Sequence, residues 1–224
     1  MQYNTINVKA TKEYNICIGR GVLAGIGELI APLLGKCRVA VLTDSNVDAL
    51  HGAAMMGYLA AAGYDACKYV IPAGEASKCA GNLLAFLNFL AGEQMTRSDA
   101  IIAFGGGVVG DLGGLSASLY LRGVKYVQVP TTLLAAVDSS VGGKTAVDLP
   151  SGKNLAGAFH HPSLVLCDPD TLRTLSPEVL RDGFAEVIKY AVIGDGELFA
   201  MLGASDAPDM ETVIARCVSQ KARI

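Results

Sequence analysis

The sequence predicts an α/β fold, a mostly parallel sheet with helices on both faces, followed by the start of an all-helical domain. Three observations carry this prediction. Short apolar runs alternate with helix-period segments as far as Cys167, the pattern of strands joined by crossover helices. From Asp168 onward only helical signals remain. Between them, Ala100–Asp111 reads Ala-Ile-Ile-Ala-Phe-Gly-Gly-Gly-Val-Val-Gly-Asp, a buried strand that runs into glycines and reopens as a helix. Glycines there let the turn take positive φ and let the backbone approach an anion, while the next helix aims its positive end at the same point.

The elements follow in order. Thr5–Val8 and Asn15–Ile18 read as a hairpin around a polar Lys-Ala-Thr-Lys-Glu turn. Val22–Leu34 is helical, with Leu23, Ile26, Leu29, Ile30 and Leu33 on one face. Arg38–Thr43 is a buried strand, and Asp44-Ser45-Asn46 supplies a helix N-cap. A helix over Val47–Ala62 stops at Gly63. A strand ends at Tyr69–Ile71, then a helix runs from Ser77 to Ala91. Tyr126–Val129 is the strand after the glycine unit, and Val165–Cys167 belongs to the last one. Helices follow over Asp170–Leu175, after the cap Ser176-Pro177-Glu178, over Asp182–Ile193 and over Met210–Arg223. The expected division is 1–167 and 168–224. The last helix has no stop signal at Arg223-Ile224, and the 57 residues after the boundary are few for a separate core, so the second domain is expected to be cut short.

Composition narrows the function. The chain has 224 residues, is 51% hydrophobic and carries a net charge of −3, which gives no pull toward nucleic acid or anionic membranes. No apolar run approaches the roughly 18 residues of a membrane span, and the N-terminus lacks the apolar stretch of a signal peptide. The six cysteines contain no Cys-x-x-Cys pair, so reduced thiols in a cytoplasmic protein are expected.

Two further regions carry chemistry. Thr131 and Thr132 sit at a strand's carboxyl end, where open α/β sheets bind ligands. Asp138, Lys144, Lys153 and Asn154 follow among glycines, a plausible phosphate cradle read as a glycine-rich loop; a solvated loop is the plainer alternative. Asp182, Glu186 and Lys189 share one helix face. Their apolar neighbours predict a largely buried helix, whose charges would need a metal, a phosphate or one another; an internal Glu186–Lys189 ion pair is the simplest of these. His160-His161 lies in a loop before Pro162, and adjacent residues rarely aim at one ion, so no two-histidine metal set is expected.

Taken together these segments resemble the 3-dehydroquinate synthases, members of the sugar-phosphate cyclases. The resemblance rests on Pro72–Lys78, Gly105–Asp111, Arg122-Gly-Val, Val129–Thr145, Gly152-Lys-Asn154 and Gly183–Tyr190, in family order along nearly the whole chain. It implies a Rossmann-like sheet and a cytoplasmic, homodimeric enzyme of the shikimate pathway. That enzyme uses NAD and a divalent metal, zinc or cobalt, to convert 3-deoxy-D-arabino-heptulosonate 7-phosphate to 3-dehydroquinate and phosphate. By motif, Asp44, Glu75 and Lys78 would meet the adenosine ribose, and Gly106, Gly107, Val108 and Asp111 the pyrophosphate and its ribose. Thr131 and Thr132 would flank the nicotinamide, with Thr174 and Leu175 toward the adenine; Lys144 and Lys153 would serve both cofactor and substrate. Asp138, Asn154 and Lys189 would hold the substrate, Arg122 would reach the phosphate in the partner subunit, and Glu186 would be the first metal ligand. The family's other two metal ligands are histidines further along, and none of that region is present, so a fragment incompetent for full turnover is expected. Other cyclases, such as 2-deoxy-scyllo-inosose synthase, and a non-catalytic NAD-binding protein are the alternatives.

Overall fold

The computed structural model describes residues 2–204 and 208–223. The chain opens with strands β1 (Asn4–Val8) and β2 (Tyr14–Ile18), an antiparallel hairpin. A 3-10 turn, Val22–Gly25, leads into helix α1 (Ile26–Leu34). Its buried stripe includes Ile26 and Ile30, but Leu34 is buried where Leu33 was expected, because the 3-10 turn shifts the helical phase. Strand β3 (Arg38–Asp44) is followed by α2 (Ser45–Val47), a π turn at Asp48–Gly52 and α3 (Ala53–Ala61), where a single helix was expected. Strand β4 (Asp65–Ile71) leads through a 3-10 turn, Glu75–Ser77, to α4 (Ala80–Gly92). Then come β5 (Ala100–Gly105), α5 (Gly107–Leu119) and β6 (Lys125–Pro130).

A π turn at Ala135–Ser139 precedes two strands that the sequence reading treated as loop: β7 (Lys144–Leu149) and β8 (Gly152–Phe159), paired antiparallel. Their glycine and proline content hid a hairpin that is entered through two positive-φ glycines, Gly142 and Gly143, and turns at Pro150-Ser151. Strand β9 (Leu164–Cys167) is followed by a 3-10 helix at Pro169–Thr174. Three α-helices close the chain: α6 (Pro177–Gly194), α7 (Gly196–Ala204) and α8 (Met210–Lys221). Helix α7 had no sequence signal beyond an apolar Leu-Phe-Ala-Met-Leu run. Helix α8 stops at Lys221, two residues before the expected Arg223; Ile224 lies outside the described residues.

The main sheet has the order β1-β2-β9-β6-β5-β3-β4. From β2 to β4 every pairing is parallel. The chain leaves β3 for β4 on one side and returns to β5 on the other, so the strand order reverses between β3 and β5. A ligand crevice opens at the carboxyl ends of strands at such a reversal. One face of the sheet packs on α1 and α3, the other on α4, α5 and β7. Helix α5 lies very close to the sheet. A Cβ at Gly113 would stand 2.7 Å from Ala103 Cβ, and one at Gly114 2.4 Å from Thr145 Cγ2.

The helices after Cys167 share a third core cluster with the N-terminal hairpin: Ile16, Ile18 and Val165 meet Val187, Val213 and Cys217. Helix α6 is not largely buried as expected. Only Gly183, Val187, Tyr190 and Ala191 are covered, whereas Val192 is 67% and Ile193 70% exposed. No helix among the described residues is long and apolar enough to cross a membrane.

Candidate functional site

The glycine cradle stands at the reversal. Gly105 ends β5 and Gly106 caps α5, with no side chain on the first helical amides. Those amides lack intrahelical partners and the helix dipole adds positive potential, so an anion is favoured there. Gly106 is extended (φ −74°, ψ −168°), and none of the three glycines takes a positive φ. The glycines are needed for room, contrary to the turn argument made from sequence. A Cβ on Gly105 would meet Val109 at 2.6 Å, and one on Gly106 would meet Thr132 at 3.1 Å. Val108 follows in the first turn.

Asp44, at the end of β3, accepts from the Asn46 and Val47 amides at 2.9 and 3.1 Å and so caps α2. Opposite, the Lys78 side chain is only 7% exposed. Its ammonium donates to Asp111 at 3.1 Å and to Asn154 Oδ1 at 2.7 Å, with Glu75 at 3.7 Å and Asp148 at 3.8 Å. Burial pushes the Asp111 carboxyl above its ordinary range, and Lys78 only partly offsets this. Thr131 is buried, and its hydroxyl has no partner among the described residues. Thr132 Oγ1 accepts from the Ala135 amide at 3.2 Å. An orphan buried hydroxyl beside an open helix N-terminus, with glycines where a Cβ would intrude, suits a dinucleotide.

Four of the six residues assigned to substrate, Asp138, Lys144, Asn154 and Lys189, lie on the next wall. Asp111, Asp138, Lys144, Asn154, Lys189 and Lys221 are among those lining a cavity of 1160 Å³, ample for a sugar phosphate. Lys144 begins β7. Asn154, on β8, is held at φ +58°, and its amide donates to Asp148 at 2.8 Å. Lys153, next to it on β8, pairs with Glu75 at 3.1 Å. The hairpin therefore places Lys144 at the cavity and Lys153 beside Glu75.

Glu186 and Lys189 form the ion pair that sequence reasoning rated simplest, and the Lys189 ammonium lies 5.1 Å from the Tyr190 ring centre. Among the described residues no three His, Cys, Asp or Glu side chains converge on a metal position. A single carboxylate already paired with a lysine does not make a zinc site, so the residues present do not fit a complete metal centre. Asp182 is exposed. His160 stacks on Tyr126 and His161 on Tyr14, as structural histidines do.

Three assigned residues stand apart. Arg122 follows the far end of α5, about 20 Å of helix from Gly107, in a left-handed stretch with Leu121. Thr174 Oγ1 is 3.0 Å from His51 Nε2, beside a 230 Å³ cavity lined by His51, Phe104 and Asp168. Leu175 packs against the helical core. Sequence reasoning assigns no role to Asp148 or Lys221, and offers His51 only as a lone helical histidine without a second metal ligand nearby. A lysine in the last turn of a helix reads as a dipole partner, and nothing in its spacing announces the cavity.

Fold and site define the class: an α/β protein with a Rossmann-like sheet, a glycine cradle at its topological reversal and a polar cavity alongside. Residues 68–182 match the 3-dehydroquinate synthase N-terminal family, and the chain belongs to that family. It is 50% identical to the 3-dehydroquinate synthase of Paracoccus denitrificans (strain Pd 1222) over 208 residues, covering 92% of this chain and 57% of that protein. A solved 2-deoxy-scyllo-inosose synthase, complexed with carbaglucose-6-phosphate, NAD+ and Co2+, superimposes with TM-score 0.88 at 26% identity, covering 99% of this chain and 62% of that one. The 2-epi-5-epi-valiolone synthase from Streptomyces hygroscopicus subsp. jinggangensis 5008, with NAD+ and Zn2+ bound, gives TM-score 0.84 at 36% identity over 95% of this chain and 62% of that one. The chain spans under two thirds of the length of these relatives.

Proposed function

We propose that this chain forms the NAD-binding part and one substrate wall of a 3-dehydroquinate synthase, which eliminates phosphate from 3-deoxy-D-arabino-heptulosonate 7-phosphate and closes the carbocycle. The observation that carries the reading is the adjacency of the Gly105–Gly107 cradle, through Asp111 and Lys78, to Asn154 and the cavity. NAD, when bound, supplies a reversible hydride acceptor. The α5 amides receive its pyrophosphate, Asp44 and Asp111 accept from ribose hydroxyls, and Thr131 and Thr132 border the nicotinamide. Lys144, Asn154 and Lys189 donate to substrate oxygens, and Asp138 accepts from a hydroxyl. Glu186 belongs to the metal side, and no step is assigned through a metal. The 50% identity to a dehydroquinate synthase, against 26% to an inosose synthase, supports this substrate over glucose 6-phosphate.

The same reading includes a division at Cys167, a cytoplasmic homodimer, and Arg122 completing the partner's phosphate site. Calorimetric titration of NAD should give saturable binding that Gly106→Val abolishes, because an isopropyl group would fill the approach to Thr132. Absence of saturable NAD binding by the unaltered chain would sink the proposal. Accumulation of NADH with heptulosonate phosphate, in step with substrate consumed, would point instead to a net dehydrogenase.

A further inference from the structure

Lys144 is carried to the cavity by two residues of positive φ, Gly142 (φ +107°) and Gly143 (φ +68°), where glycine is free to move. Among the described residues the Lys144 ammonium makes no hydrogen bond or ion pair, so its aim depends on the backbone behind it. Three contacts hold that backbone. The Gly142 amide donates to the Tyr14 hydroxyl at 3.0 Å, across 128 residues of chain. The His160 amide donates to the Gly143 carbonyl at 2.8 Å. The His161 ring closes over Gly143, where a Cβ would stand 2.5 Å from Nδ1. Tyr14 and His161 stack on each other with ring centres 5.9 Å apart. Tyr14 is buried and paired with Val8 in the N-terminal hairpin, so the stack has a fixed base. His161 Nδ1 is buried with no partner among the described residues. A buried ring nitrogen without a bond costs stability, so the ring serves there by its shape.

We propose that Tyr14 and His161 are positioning residues that lock Gly142 and Gly143 and so hold the Lys144 ammonium toward an oxygen of the sugar phosphate. The proposal rests on the sugar-phosphate reading above. Neither residue is among those that line the cavity, so neither touches the reacting atoms. The lock gives the N-terminal hairpin a function at a site it does not border: β2 reaches it through one phenol hydroxyl, and the ring of His161 fills the space that a side chain at Gly143 would need.

Two measurements test the lock. Tyr14→Phe keeps the ring and the stack and removes one acceptor. In the first, nitrogen-15 relaxation is recorded without ligand. The Gly142 and Gly143 amides should fall from the rigid order parameter of about 0.85 toward the flexible range below about 0.6 in Tyr14→Phe, while the β2 and β9 amides stay rigid. In the second, 3-deoxy-D-arabino-heptulosonate 7-phosphate is titrated into the NAD-loaded chain. Tyr14→Phe should weaken its binding about threefold to tenfold, the scale of one neutral hydrogen bond, and NAD affinity should not change. His161→Ala should act in the same way, and His161→Phe, which keeps a flat ring over Gly143, should restore most of the loss. If the unaltered chain fails to bind the sugar phosphate while the glycines loosen as stated, the substrate reading fails and the lock stands. Glycine amides unmoved by Tyr14→Phe overturn the lock. Sugar-phosphate affinity that holds while the glycines loosen, or an equal loss of NAD affinity, overturns the positioning role. Should Tyr14→Phe fail to fold, His161→Ala decides by the same readings.

Discussion

Gly113→Ala and Gly57→Ala are the same substitution in two helices, and they should have opposite effects. Both glycines lie inside α-helices, so both gain about 0.5–1 kcal/mol from alanine's helix propensity and its smaller unfolded-state entropy. At Gly57 nothing lies within 4 Å of the new methyl, and the gain should be realised. At Gly113 the methyl would stand 2.7 Å from Ala103 Cβ and 3.5 Å from Leu42 Cδ2. Comfortable carbon contacts are about 3.5–4.0 Å, so the shortfall is roughly 1 Å. The Ala103 methyl is fixed to its strand and has no rotamer to yield, so α5 must lift off the sheet. Overpacking of this kind costs about 1–3 kcal/mol. Because the propensity term is common to both variants, their difference in urea-unfolding free energy isolates the overpacking cost, about 1–3 kcal/mol in favour of Gly57→Ala. In a chain of this size that is a gap of several degrees in melting temperature, at roughly 2–4 °C per kcal/mol. A Gly113→Ala protein at least as stable as Gly57→Ala would refute the close-packing argument. Since α5 also carries Gly107 and Asp111, the lifted helix should bind NAD more weakly as well.

Three other outcomes are expected. Asp44→Ala should lose about 1 kcal/mol of stability with the α2 cap, whereas Asp44→Ser should keep the cap. Both should bind NAD at least about tenfold more weakly by calorimetry, and full NAD affinity in Asp44→Ser would exclude the ribose role. The Asp111 carboxyl titrates above its unfolded value, because burial pushes it up more than Lys78 pulls it down. Its stabilising contribution is therefore complete below the unfolded value of about 4 and is lost as pH rises through the folded one. Asp111→Asn should remove that loss, so that its stability relative to the unaltered chain improves from pH 4 to 8 in urea unfolding, while NAD binding falls; a relative decline would contradict the reading. Asp99 runs the other way. Burial pushes it up, but donors from Thr96 and the Arg38 amide outweigh this and hold it below the ordinary range. Asp99→Asn should cost about 1–2 kcal/mol at pH 7 and the difference should vanish as pH falls through the folded value, which circular dichroism across an acid series would follow.

The layers were legible in the sequence because apolar runs and glycine punctuation are local signals. The strand–glycine–helix unit at Ala100–Asp111 and the caps at Asp44 and Ser176 stand where those signals put them. The β7–β8 hairpin was not legible: Lys144–Phe159 mixes lysine, glycine and proline, and its pairing is fixed by packing against α5. The exposure of Val192 and Ile193 was also hidden, since periodicity reports an apolar stripe and not what lies over it. The site residues could be named from resemblance. The contacts Lys78–Asn154 and Lys221–Asp138 join positions 76 and 83 residues apart, beyond any local pattern.

The place of β9 sets an order of assembly. Residues 15–18 pair with residues 164–167, and the Gly21 and Leu23 amides donate to Asp168. The hairpin is thus separated from β9, its one parallel neighbour among the described strands, by nearly 150 residues of chain that must be synthesised first. At about 5–20 residues per second that is an interval of order ten seconds, during which the hairpin has no parallel neighbour. Long-range closure of this kind is slow to nucleate. The N-terminal hairpin should therefore be the last part of the sheet to gain amide-exchange protection on refolding, and substitutions at Ile16 or Leu166 should speed unfolding far more than they slow folding.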